Sequence, residues 1–116
     1  MTVYACPICS SPLSKNGRVF RCRGGHTFDV AKEWYVNLLP ANRKRSLEPG
    51  DNAEMVSARS RFLGAGYYQT LADKLVTLID QPHRLADLGC GEGYFTAALC
   101  GAVSEVYGLD ISKVAV

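Results

Sequence analysis

The sequence predicts two unlike parts, a small zinc-binding β-hairpin module followed by the start of an α/β cofactor-binding domain. Three observations predict this. Cys6, Cys9, Cys22 and His26 are spaced C-x2-C-x12-C-x3-H, a zinc-ligand pattern. Asp87-Leu-Gly-Cys-Gly-Glu-Gly93 is a glycine loop between a short apolar run and a helical pattern. Charge also divides the chain: residues 1–48 carry eight Lys/Arg against three acids, and residues 49–116 carry five against eight, balances of +5 and −3. A basic front part suits a polyanionic partner, although a solvated surface gives the same pattern.

The zinc module is expected over residues 1–39. Cys6-Pro-Ile-Cys9 reads as one tight knuckle and Arg23-Gly-Gly-His26 as part of a second. Between them lies the short strand Arg18–Cys22, and Thr27-Phe-Asp29 returns as another, giving two β-hairpins. A two-residue gap lets both thiolates of a knuckle bind one ion, and the x12 spacer is long enough to bring the second knuckle opposite the first. Gly24 and Gly25 are expected to supply the positive φ that points backbone amides at a thiolate. Val3, Ile8, Leu13, Val19, Phe20 and Phe28 make only a small core, so a structural, closed Zn2+ site is expected to hold the module together. No second histidine at finger spacing and no recognition helix follow His26, which excludes a DNA-reading finger.

Residues 40–50, bracketed by prolines and carrying Arg43-Lys44-Arg45, read as a basic linker. Residues 51–116 then form the second part. Asp51 is expected to cap a helix, with Glu54 three residues on and Met55, Val56, Arg59, Phe62 and Leu63 at helical spacing. A second helix is expected from about Tyr68 to Ile79, with Leu71, Leu75, Leu78 and Ile79 on one face and Pro82 as the stop. Arg84–Leu88 is a strand, Gly89–Gly93 the turn, Tyr94–Cys100 a crossover helix and Glu105–Leu109 the next strand, ending at Asp110. That is one βαβ unit.

The glycines fall at 89, 91 and 93, whereas the dinucleotide fingerprint would want glycine at 94, where Tyr94 stands. Glycine packing lets backbone approach a ligand at the carboxyl end of the first strand, and Asp110 is placed to accept hydrogen bonds from ribose hydroxyls. Cys90 and Cys100 read as small packing residues. No stretch approaches the roughly 18 apolar residues of a membrane span, and Met1-Thr-Val-Tyr4 lacks the features of a signal peptide. A cytoplasmic protein with no membrane association is expected, its five cysteines serving as metal ligands or spare thiols.

Leu85–Phe95 resembles the first motif, and Gly108-Leu-Asp-Ile-Ser112 the second, of the Rossmann-like (class I) methyltransferases that use S-adenosyl-L-methionine. The resemblance implies cofactor contacts from Asp87, Gly89, Gly91, Glu92, Gly93 and Asp110. Phe62–Gln69 resembles the segment that packs over the cofactor, which adds Tyr68. Cys-Pro-x-Cys, Cys-x3-His-x-Phe-Asp, Tyr35-Val-Asn-Leu-Leu-Pro40, Pro49-Gly-Asp51 and Glu54-Met55 narrow this further. Together they resemble the bacterial 23S rRNA guanine-N1 methyltransferases, over essentially all 116 residues.

That resemblance implies methyl transfer to N1 of a guanine in a 23S rRNA hairpin, a zinc module that helps recognise the RNA, and often a homodimer. RNA contact is expected from Arg18, Arg21, Arg23, Arg43, Lys44 and Arg45, with Trp34, Tyr35 and Phe20 available to stack on bases, burial in the small core being at least as good a reading for Phe20. No residue reads as a catalytic base. The family's catalytic domain continues well beyond two strands, so this chain alone is expected to be the N-terminal portion and inactive. Two other readings stay open: a stand-alone zinc module that binds RNA or protein without activity, and a methyltransferase acting on a small molecule or protein.

Overall fold

The computed structural model describes residues 2–80 and 83–116. It divides into two compact units, Met1–Leu47 and Glu48–Val116. The stop assigned to Pro82 lies outside the described residues.

The first unit is a three-stranded antiparallel sheet of β1 (Leu13–Asn16), β2 (Val19–Cys22) and β3 (Thr27–Asp29), in that order. Gly17, at φ +59°, makes the tight β1–β2 turn. Alternation sets the core: Phe20 and Cys22 face inward while Arg21 faces solvent. Leu13 pairs with Cys22 and Phe20 with Phe28. Cys6, Leu13, Phe20, Cys22 and Val30 are buried together, and Tyr4, Phe28, Val36 and Leu38 pack against them. Val3 and Ile8, expected in this core, are exposed instead, Ile8 because it sits at the tip of the knuckle. Val30, Val36 and Leu38 replace them, brought in by a bridge between Val30 and Val36. The chain therefore adds one antiparallel bridge after the two expected hairpins.

Among the described residues, two that are not glycine have left-handed backbone, Ser10 (φ 59°) and Trp34 (φ 72°). Ser10 ends the first knuckle, its amide donating to Cys6 O at 2.8 Å. Its side chain gives nothing in return for a conformation that costs an L-residue about 1–2 kcal/mol. Glycine's extra unfolded-state entropy takes back about 0.5–1 kcal/mol. Ser10→Gly is therefore expected to stabilise the zinc-loaded protein by roughly 0.5–1 kcal/mol, read as a higher denaturant midpoint at unchanged slope. At Trp34 the strain has a partner: the Arg18 guanidinium lies 4.7 Å from the indole centroid and donates to Ala31 O at 2.6 Å.

In the second unit, α1 (Ala53–Gly64) and α2 (Gln69–Leu78) precede β4 (Arg84–Leu88), α3 (Tyr94–Leu99) and β5 (Glu105–Leu109). A short 3-10 turn, Ala41–Arg43, lies ahead of them in the first unit. β4 and β5 pair in parallel, with Asp87 opposite Gly108 and Leu88 opposite Leu109. The bounds of both strands agree with the sequence reading. The cap of α1 does not: Asn52, not Asp51, accepts the Met55 amide at 2.9 Å. Asp51 is drawn away by Arg59, whose Nη1 lies 2.6 Å from its carboxylate. The buried helical positions are Leu63, Ala72 and Leu99, while Leu71 and Leu78 are exposed. Among the described residues no helix is long and apolar enough to cross a membrane.

Candidate metal centre and cofactor loop

The first knuckle is closed by Cys6 N–H donating to Ser11 O and Ser10 N–H to Cys6 O, both at 2.8 Å. The second turns at Gly25 (φ +83°), whose amide donates to Cys22 O at 3.1 Å. Gly24 keeps an ordinary φ, contrary to expectation, and a Cβ there would make only ordinary contact with the His26 ring at 3.5 Å and Cys22 Sγ at 3.6 Å. The amide aimed at a thiolate belongs to His26, 3.3 Å from Cys22 Sγ.

This brings all four predicted ligands together, every ligand atom within 4.8 Å of the others. Cys9 Sγ lies 3.7 Å from Cys22 Sγ, and His26 Nδ1 lies 3.6 Å from Cys6 Sγ and 3.3 Å from Cys22 Sγ. A tetrahedron with Zn–S near 2.3 Å and Zn–N near 2.0–2.1 Å has S···S edges of about 3.8 Å and S···N edges of about 3.5 Å. The residues fit zinc, with His26 binding through Nδ1. Cys6 and Cys22 are buried and Cys9 is exposed.

The electrostatics favour ligation. The Ser11 hydroxyl, 3.1 Å from Cys9 Sγ, leads the groups that push the Cys9 thiol down to about 6, followed by the Ser11 amide and His26. Burial pushes the Cys6 thiol up. Burial also opposes ionisation of Cys22, but hydrogen bonds led by the His26 amide carry its net shift downward. The thiolates of Cys9 and Cys22 hold the His26 imidazole above its ordinary value. A metal ion would replace that proton, since a ligating imidazole is neutral.

The glycine loop is built at the carboxyl end of β4. Gly89, Gly91 and Gly93 all have left-handed backbone, at φ +79°, +57° and +85°. Gly89 and Cys90 amides donate to Leu109 O at 2.7 and 3.1 Å, tying the loop to β5. Gly108 permits this approach, because a Cβ there would lie 3.0 Å from Cys90 Sγ. Asp87 accepts the Thr96 hydroxyl at 2.6 Å, which fixes α3 on the loop. Asp110 accepts from two amides, Gly91 at 2.8 Å on one oxygen and Ser112 at 2.7 Å on the other. Asp87, the three glycines and Asp110 thus meet at one end of the parallel pair.

Glu92 is exposed in the loop. Tyr68, 44% exposed, stands edge-on to Phe62 at 5.2 Å and tilted over Phe95 at 6.4 Å, just past Gly93. Cys90 is half-buried, and burial together with the Asp110 and Asp87 carboxylates raises its thiol, which fits packing and not nucleophilic chemistry. Cys100 is exposed beyond the end of α3, which stops one residue earlier than expected.

Of the residues assigned to RNA, Arg18 is engaged with Trp34, and Trp34 is 71% exposed. Arg21, Arg23, Arg43, Lys44 and Arg45 are all exposed. Phe20 is in the core, edge-on to Tyr4 at 5.5 Å, and is not a stacking surface. Sequence reasoning missed Thr96, Arg59 and Gly50. The string Pro49-Gly-Asp51 marked Gly50, but its contacts are with residues about sixty positions away.

The family description "RlmA, N-terminal", a zinc ribbon, matches residues 4–47. Nearly the whole chain is also similar to curated proteins. A 23S rRNA (guanine(748)-N(1))-methyltransferase of Streptomyces fradiae is 37% identical over 96% of this chain and 41% of its own length. Proteins provisionally named 23S rRNA (guanine-N(1)-)-methyltransferase are 36% identical in Micromonospora griseorubida and 35% identical in Bacillus subtilis (strain 168). These two matches cover 93% and 97% of this chain, and 44% and 43% of the relatives. The chain spans less than half the length of the curated relatives it matches. Residues 4–47 thus match the RlmA N-terminal zinc ribbon, and the chain as a whole is similar to the N-terminal part of curated 23S rRNA guanine-N1 methyltransferases.

Proposed function

We infer that this chain is the front part of an S-adenosyl-L-methionine-dependent enzyme that methylates N1 of a guanine in a 23S rRNA hairpin. The observation that carries the reading is similarity to 23S rRNA guanine-N1 methyltransferases through both the ribbon and the glycine loop. Residues 48–116 are read as the opening of a Rossmann-like domain. A parallel strand pair is stable when both its faces are covered, and Leu88 and Leu109 are 78% and 41% exposed. Further strands and helices of the same domain are the natural cover.

S-adenosyl-L-methionine supplies a methyl group on a sulfonium, an electrophile activated without help from the protein. The chain's own residues bind and orient. Gly89, Gly91 and Gly93 remove side chains where backbone must approach the methionine end. Asp110 uses one lone pair of each oxygen on an amide, leaving the others for ribose hydroxyls. Tyr68 offers a ring face beside the loop. Alignment is the main contribution such a site makes to a displacement reaction.

The ribbon is read as the RNA-docking part. Arg18, Arg21, Arg23 and Arg43–Arg45 offer charge to phosphates, and the exposed Trp34 face opposite Arg18 offers a stacking surface. A homodimer completes the reading.

Methylation at N1 blocks Watson–Crick pairing, so reverse transcriptase stops one nucleotide short of the product. With full-length protein and unmodified 23S rRNA, a cofactor-dependent stop at one hairpin guanine is expected. Asp110→Ala should weaken cofactor binding by about 1–3 kcal/mol, roughly 5- to 150-fold. A wild-type protein that gives no stop, yet binds the hairpin, would leave only the stand-alone RNA-binding module.

A further inference from the structure

We propose that Arg59 is the counter-ion for the carboxylate at the methionine end of the cofactor, and that Gly50–Asp51 is the clasp that aims it. This rests on the cofactor reading above. The starting point is the Pro49-Gly-Asp51 string, which neither zinc binding nor the glycine loop explains.

Gly50 has φ +84°, and a Cβ on it would lie 2.8 Å from Ser112 N and 2.9 Å from Ser112 Cα and Ile111 Cγ2. The segment is therefore pressed against the turn that follows β5. Ser112, 1% exposed, donates its hydroxyl to Asp51 O at 2.6 Å and its amide to Asp110 Oδ1 at 2.7 Å. The other Asp110 oxygen accepts the Gly91 amide. The Asp51 carboxylate, fixed by its own backbone, holds Arg59 Nη1 at 2.6 Å. The ring of contacts closes at the loop, for a Cβ on Gly91 would lie 3.9 Å from Arg59 Nη1.

The acids of this end are Asp87, Glu92 and Asp110, and the clasp sets a cation beside Gly91 in the loop between them. A guanidinium has five N–H donors in a planar fork, more than Asp51 can use. Its side chain is 51% exposed, so donors remain for a ligand. A carboxylate is the group that such a fork binds in two-point fashion. A surface ion pair that merely trims the start of α1 would contribute about 0–1 kcal/mol and would need no glycine clasp behind it.

The test uses two nucleosides and full-length protein. S-adenosylhomocysteine carries the carboxylate and cannot react; 5′-methylthioadenosine has the same nucleoside and sulfur but no amino-acid end. By isothermal titration, Arg59→Gln is expected to weaken S-adenosylhomocysteine about 10- to 150-fold, the range for a hydrogen bond to a charged group. Affinity for 5′-methylthioadenosine should stay within about twofold. Arg59→Lys should recover part of the loss, and Asp51→Asn should show a smaller loss with the same selectivity. Unchanged S-adenosylhomocysteine binding in Arg59→Gln, or equal weakening of both nucleosides, would overturn the assignment while leaving the cofactor reading intact. A wild-type protein that binds neither nucleoside would overturn both.

Discussion

Cys22→Ser is expected to release the metal and unfold residues 4–47, and a strong chelator should do the same to the wild-type chain. The size of the effect follows from what else holds the ribbon. Leu13, Phe20 and Val30 are the buried side chains that are not ligands, each contributing about 1.5–3 kcal/mol. The coupling between zinc binding and folding is about 10–16 kcal/mol in zinc-finger peptides. Metal binding is the larger quantity, and Cys22 is central to it. Its sulfur lies near Cys9 and His26, it accepts the His26 amide, and it pairs with Leu13 across the sheet. Zinc released to a chromogenic chelator, together with loss of dispersed amide resonances from the ribbon, would be the signature. A metal-free chain that keeps those resonances would show that the apolar core is sufficient.

Gly50→Val should be the most damaging single change in residues 48–116. It places a β-branched residue at φ +84°, where strain alone costs about 1–3 kcal/mol. It also drives a Cβ into backbone atoms of Ser112, which cannot swing aside as a side-chain tip can. Overpacking of that kind adds about 1–3 kcal/mol, so a loss of roughly 2–6 kcal/mol is expected. Gly64→Ala is the control, because a Cβ there meets nothing within 4 Å and the residue ends α1 at an ordinary φ. Denaturant unfolding of full-length protein would compare them. Wild-type stability in Gly50→Val would mean that the segment does not bear on Ser112.

The metal ligands were legible in the sequence because a two-residue gap dictates a knuckle whatever surrounds it. β4 and β5 were legible for a related reason: short apolar runs bounded by glycine and polar residues have few alternatives. The cap of α1 was not. Asp51 and Asn52 are equally able to cap, and the choice is made by Arg59 and Ser112, of which local sequence carries no trace. Leu71 and Leu78 sit at apolar spacing yet lie exposed, since periodicity states which residues could be covered and not what covers them. Val30 and Val36 were missed because their pairing depends on the turn at Trp34, a left-handed position that a bulky aromatic residue seldom occupies.

The spans of these contacts along the chain also set an order of events during synthesis. The first and last metal ligands are 20 residues apart, so the ribbon has everything it needs once residues through Leu38 have left the ribosome. Contacts over short separations close quickly. The Ser112–Asp51 hydrogen bond spans 61 residues and must wait until the chain has grown past 112. At about 5–20 residues per second, several seconds separate the two. For that interval a metal-loaded ribbon precedes a nascent α/β segment whose clasp is still open, and capture of zinc is settled before the glycine loop exists.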